Sequence, residues 1–330
     1  MSDFGLKTLW PETASDTSIE ADIVFVHGLR GGRETTWKKK KWSTLWPRDV
    51  LPKDINHARI LTWGYDANIV DFFKPAGQTS IFGHALQLLS DLANQRRKEE
   101  EKNRPIIFLA HSLGGLVVKD ALYQSHSEGI QPVVHNPRLA RIKTCTIGVI
   151  FAGTPHRGAD KAKWATIAGH LTRFVLKSPN TRLTEALERG AHTLERLQGD
   201  FSRILLGLPI YTFSEEREFP GNGIIVDRDS AVIGFPHEVR QQIPADHKMM
   251  VKFAGPEDPG YERIKNAILN LIEDWKENTE ARQTPTLDVV REHRVNRLDN
   301  RSWSGTVAAE SSLQGDVVSG RDINFGLRPR

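Results

Sequence analysis

The chain has 330 residues, 45 Lys and Arg against 41 Asp and Glu, a net charge of +4 and 38% hydrophobic residues. That hydrophobic share supports a sizeable core and argues against wholesale disorder, and the near balance of charge argues against a molecule-wide field for nucleic acid or membrane. The single cysteine, Cys145, excludes an internal disulfide framework and a cysteine-rich zinc site.

Residues 1–20 are polar, contain Pro11 and lack the apolar core of a signal peptide, so they are expected to form an N-terminal extension. Short apolar runs follow and read as buried strands over 21–26, 59–63, 105–110, 146–151 and 209–213, with a sixth expected at 249–253. None approaches the roughly 20 residues that a membrane-spanning helix needs. A soluble, cytoplasmic protein is the expectation.

Helical patterns lie between the strands. Residues 82–102 place Leu86, Leu89 and Ala93 on one face, and 113–124 start directly after a strand. Residues 183–206 form an amphipathic stretch expected to break near Gly199. Over 261–275, Ile264, Ala267, Ile268, Leu271, Ile272 and Trp275 form a core-facing stripe. This alternation predicts an α/β fold with a mostly parallel central sheet and helices on both faces. The domain should span 21–281. A linker (282–303) and a flexible tail (304–330) follow.

The most informative segment runs from Ile106 through Ala110, His111, Ser112, Leu113, Gly114 and Gly115 to Val118. A strand ends at Ala110 and a helix begins near Leu113, with Ser112 on the turn between them. This is the G-x-S-x-G pattern with Ala110 at the first small position, which makes Ser112 the candidate nucleophile. Small residues are required because the turn brings strand and helix into close approach. A helix N-terminus beneath the serine favours developing negative charge.

A serine nucleophile needs an oxyanion hole, a base and an acid. Val26, His27, Gly28 and Leu29 form a strand-to-glycine turn upstream, so the backbone N–H groups of Leu29 and Leu113 are the expected oxyanion donors. His27 is expected to order that loop. The base should be a late histidine: His247, 135 residues after the serine, leads, with His237 and His156 as rivals. The acid candidates are Glu215, at the end of the strand expected over 209–213, and then Asp227 or Asp229.

These segments, together with Gly153-Thr154-Pro155-His156 and the stretch after Asp246, resemble the lipase-like branch of the α/β-hydrolases. More narrowly, they resemble the SesB-like serine-esterase domains that fungi place before NACHT- or NB-ARC-type receptor modules. The resemblance covers roughly residues 22–275 and implies hydrolysis of carboxylic, lipid acyl esters without a cofactor. It also puts Glu215 first among the acids. The segment 312–326 alternates apolar pairs with Gly and Asp or Asn, and is similar to amyloid signalling motifs of fungal cell-death effectors. An NLR-type receptor recruited through this tail is therefore an expected partner. The alternative is a non-catalytic signalling protein on a hydrolase scaffold.

Four lysines, 38–41, lie between Trp37 and Trp42 and read as a solvated loop that could touch a membrane surface peripherally. The sequence has no HExxH, CxxC, P-loop or EF-hand pattern, so no metal, cofactor or nucleic-acid partner is expected.

Overall fold

The computed structural model describes residues 3–11, 19–67, 80–130, 136–156, 161–175 and 181–283. The chain divides into one unit, Met1–Asn278, and a second, Thr279–Arg330, of which only the end of a helix is described. The expected linker and tail lie outside the described residues, apart from the helical residues 282 and 283.

The strands are β1 (Gly5–Trp10), β2 (Ala21–Val26), β3 (Lys38–Lys39), β4 (Thr44–Leu45), β5 (Ala58–Gly64), β6 (Ile106–His111), β7 (Thr146–Ala152), β8 (Ile210–Glu215) and β9 (Glu238–Ile243). Seven form one sheet in the order β1-β5-β2-β6-β7-β8-β9, while β3 and β4 pair separately. Every neighbouring pair of the large sheet is parallel except β1 with β5. The longer helices are α1 (Ile81–Gln95), α2 (Gly114–Ile130), α3 (Pro137–Cys145), α4 (Lys161–Val175), α5 (Thr181–Ser202) and α6 (Pro259–Gln283).

Alternate residues of the central strands enter two apolar layers, as the period of two requires. Val24, Val26, Phe108, Ala110, Val149 and Phe151 pack with Leu88 and Leu92 of α1 and Leu116 of α2. Ile23, Phe25, Ile107, Leu109 and Ile150 pack on the other face with Trp37, Trp46 and Ile264, Ile268 and Leu271 of α6. Each large apolar side chain buried this way contributes about 2 kcal/mol. Helices on both faces explain why these strands read as unbroken apolar runs.

The structure differs from the sequence expectation in seven places. Residues 249–253 form turns, not a strand, although Met250, Val251 and Phe253 are fully buried. The last parallel strand is instead β9, a half-exposed edge with a polar sequence and so no apolar run to betray it. The segment expected as an extension contributes β1, an antiparallel edge strand on β5. The pattern over 82–102 ends as α1 at Gln95, and Leu86 lies on its exposed side, while Leu88, Leu89 and Leu92 face the core. Helix α5 runs through Gly199 without a break, and α3 and α4 were not anticipated.

The end of α1 has a physical cause. The guanidinium of Arg96, the residue after the helix, turns inward to bind the Asp22 carboxylate. Arg59 also holds Asp22 in a two-pronged contact, 2.8 and 3.0 Å, and reaches Glu101 at 2.8 Å. Arg104 completes the cluster at 3.3 Å. Asp22, Arg59, Arg96 and Glu101 are all buried. The cluster closes the N-terminal end of β2 and leaves the C-terminal strand ends free for a site.

Candidate active site

Parallel sheets place functional loops beyond the carboxyl ends of their strands. Here the loops after β2, β6, β8 and β9 converge at that edge. Ser112 follows β6 with φ of 52°, in the left-handed region that a non-glycine residue adopts only when its surroundings enforce it. The enforcement is visible. The Ser112 N–H donates to the Ala152 carbonyl at 2.9 Å, and the Ser112 carbonyl accepts from the Thr154 hydroxyl at 3.0 Å and from the Gly115 N–H at 3.1 Å. A Cβ on Gly114 would fall 2.3 Å from the His27 carbonyl oxygen, so glycine is the residue this approach of α2 to β2 permits.

The structure brings Ser112, His247 and Glu215 together. His247 Nε2 lies 3.0 Å from Ser112 Oγ, and His247 Nδ1 lies 2.7 Å from Glu215 Oε2. All three are buried. Glu215 is the last residue of β8, and its second oxygen accepts the N–H groups of Ile225 at 2.6 Å and Val226 at 2.9 Å. With one oxygen occupied by two amides, the other is fixed toward the imidazole. That carboxylate favours the tautomer with hydrogen on Nδ1 and leaves the Nε2 lone pair facing the serine hydroxyl.

The rival residues lie elsewhere. His237 is exposed in the loop before β9. His156 is buried with its ring edge-on to Phe151 at 4.6 Å. Asp227 caps a one-turn helix by accepting the Ser230 N–H at 3.0 Å and its hydroxyl at 2.7 Å. Asp229 lies inside that turn.

The loop after β2 lies against the elbow. A Cβ on Gly28 would come within 2.6 Å of Ser112 Cβ and 3.3 Å of the Leu113 nitrogen. The amides of Leu29 and Leu113 therefore border the serine, and neither donates to a protein acceptor among the described residues. His27 is fully buried, with Nδ1 2.9 Å from the Gly28 carbonyl, Nε2 accepting the Tyr65 N–H at 3.3 Å, and its ring stacked on Tyr65 at 4.5 Å. Burial lowers its pKa to about 4, so it is a neutral loop-ordering group near pH 7.

One contributor was not anticipated. His111, the residue before the serine, donates from Nε2 to the His247 carbonyl at 2.8 Å. Burial, and then the neighbouring His247, push its pKa well below the ordinary value and keep it neutral. It ties the elbow to the histidine loop. The only sequence signal was its place inside the elbow motif. Among the described residues no group of three or more His, Cys, Asp or Glu side chains could hold a metal ion, and no helix is long and apolar enough to cross a membrane.

No family model matches the chain. It is 29% identical over 214 residues to Protein SERAC1 of Mus musculus and 28% identical over 214 residues to the Homo sapiens protein. Each match covers 60% of this chain and 30% of the relative, so it spans less than a third of those proteins. Among solved structures, Bacillus licheniformis lipase BlEst2 in its mature form superposes with a TM-score of 0.50 at 16% identity, over 79% of this chain and 97% of that one. Its propeptide form gives a TM-score of 0.50 at 17% identity, over 79% of this chain and 53% of that one.

Proposed function

We propose that the chain, whose mostly parallel sheet flanked by helices is the α/β-hydrolase fold, is a serine hydrolase of carboxylic esters. The observation that carries the reading is the unbroken hydrogen-bonded line from Ser112 Oγ through the His247 imidazole to Glu215. Ser112 Oγ attacks the acyl carbonyl as His247 Nε2 takes its proton. The ester C–O bond then breaks, and the same proton passes to the leaving alcohol. Water repeats the sequence on the acyl-enzyme and releases the acid. Glu215 holds the imidazole in position and stabilises its charged form. The Leu29 and Leu113 amides receive the oxyanion, each such donor being worth about 3 kcal/mol. The likeness to a bacterial lipase supports acyl esters, lipid esters among them, as the substrate class.

A fluorophosphonate probe followed by peptide mapping tests this reading. The expected adduct is on Ser112, and Ser112→Ala should remove both the label and at least about a thousandfold of the ester turnover. Labelling at another residue, or turnover retained in the variant, would overturn the assignment. A signalling role rests on the sequence resemblance and on a tail outside the described residues. Deleting 305–330 should abolish receptor recruitment and leave ester turnover intact; recruitment that survives the deletion removes the tail from the proposal.

A further inference from the structure

A cavity of about 530 Å³ opens beside the candidate nucleophile, sharing Leu29 with the oxyanion loop and His111 with the elbow. Its wall is basic. The lysine run 38–41 lines one side, Arg30 follows Leu29, and Lys248 and Lys252 come from the segment just after His247. No lining residue is acidic. Among the described residues none of these cations forms an ion pair with a carboxylate. The carboxylate of Asp49, near Lys38, is already held by Arg48 at 2.7 Å and by the Leu45 N–H at 2.7 Å.

Lys252 shows that the arrangement is built. Its side chain is buried, and its ammonium donates to the carbonyls of Thr35, of Thr36 at 2.6 Å and of Lys38 at 3.4 Å. It thereby staples the base of the lysine loop to the histidine loop. All its acceptors are neutral, so the charge stays uncompensated. Burial, then the nearby Lys248, Lys40 and Lys39, lower its pKa to about 8, which leaves it charged near pH 7. Several mutually repelling cations around one concave wall raise the energy of the empty site and focus a positive field into it. An anion in the cavity offsets both.

The size decides the kind of anion. A concavity of this volume fits a small charged group, whereas a nucleic-acid duplex needs an extended face. Ammonium groups from two loops and the single Arg30 guanidinium from a third, with no guanidinium pair, suit a compact dianion whose several oxygens accept from different directions, as phosphate does. Resting on the hydrolase reading above, we infer that the substrate is a phosphate-bearing acyl ester. The lysine-lined cavity holds the phosphate while the acyl carbonyl reaches the Leu29 amide and Ser112.

Matched substrates test this: 1-hexanoylglycerol 3-phosphate against 1-hexanoylglycerol, with wild type and with the exposed lysines changed together (Lys38→Gln, Lys40→Gln, Lys248→Gln). Wild type should favour the phosphate ester in kcat/KM by at least about tenfold, mainly through KM, with the preference shrinking as salt rises. The triple variant should lose most of that ratio. A preference seen with the monomeric ester assigns a soluble phosphate ester as the source. A preference seen only when the long-chain phosphate ester is presented in phosphatidylcholine vesicles assigns a lipid headgroup. No preference in either form, or a ratio unchanged in the variant, overturns the inference while leaving ester hydrolysis standing. If neither ester is turned over and fluorophosphonate spares Ser112, the hydrolase reading fails instead. Calorimetry with inorganic phosphate then decides the cavity alone: binding by wild type that weakens in the triple variant supports it, and equal or absent binding removes it.

Discussion

The two ends of β2 bury polar groups in opposite ways. At its N-terminal end Asp22 meets Arg59, Arg96 and Arg104, and Arg59 also meets Glu101, so every charge in the cluster has a partner. At its C-terminal end His27 and Gly28 lie against the Ser112 turn, with the Leu29 and Leu113 amides free of protein acceptors among the described residues. One end is closed by mutual satisfaction. The other holds donors and a lone pair aimed at a place where charge can develop. A satisfied network stabilises a single arrangement, whereas a preorganised and incomplete one stabilises a transition state. The same strand fixes both, and substitutions at its two ends should therefore separate stability from rate.

The largest effect is expected at Glu215. In Glu215→Gln the side-chain oxygen must still accept the Ile225 and Val226 N–H groups, which turns the amide NH2 toward His247 Nδ1. A donor there forces the hydrogen onto Nε2, and the lone pair facing Ser112 is lost. Ester kcat should fall by about ten-thousandfold, the scale known for the equivalent change in serine-protease triads. The urea midpoint should stay close to wild type. A midpoint that collapses together with kcat would mean that Glu215 belongs with the structural cluster.

Asp22→Asn makes the converse prediction. It removes the charge that three guanidinium groups share and leaves Arg59 and Arg96 buried without it. Breaking a buried ion pair in this way costs about 3–5 kcal/mol. Urea unfolding should register that loss, while kcat of the folded fraction stays within about twofold because Asp22 sits at the far end of the strand. A kcat that falls with stability would show the two ends to be coupled.

How much of this was legible in the sequence follows the same division. The central strands announced themselves because burial on both faces leaves no polar alternation, and the elbow did so because its sharp turn restricts residue size around Ser112. Chain order narrowed the base and the acid to a few late residues, and the resemblance to lipase-like domains put Glu215 first among the acids; the structure brings that residue and His247 to Ser112. The edges were not. β9 is half-exposed and polar, β1 pairs on one side only, and the apolar run at 249–253 packs as a buried turn. The partners that fix each group were also hidden: the amides at 225 and 226, His111 and Lys252 act through contacts with residues distant in the chain. The lysine run was visible as charge, but its position around a cavity depends on how two loops fold toward each other.

The smallest predicted effect sharpens the comparison from the Ser112 end. His27 is buried beside Tyr65 and His84, it forms no ion pair with a carboxylate among the described residues, and burial lowers its pKa to about 4 from an ordinary 6.5. Below pH 6.5 the unfolded chain takes up a proton that the folded chain refuses. The stabilising contribution is whole above pH 6.5 and drains away as pH falls toward 4, by about 3 kcal/mol. His111, shifted in the same direction, adds to the slope. His27→Gln can still donate to the Gly28 carbonyl and accept from the Tyr65 N–H, but it cannot be protonated. Urea unfolding at pH 7 and pH 4.5 should show a wild-type loss larger than the variant's by most of that amount, with the remaining slope common to both. Equal slopes would mean that His27 finds a counter-charge in acid, and the Ser112 end of β2 would then be as fully paired as the Asp22 end.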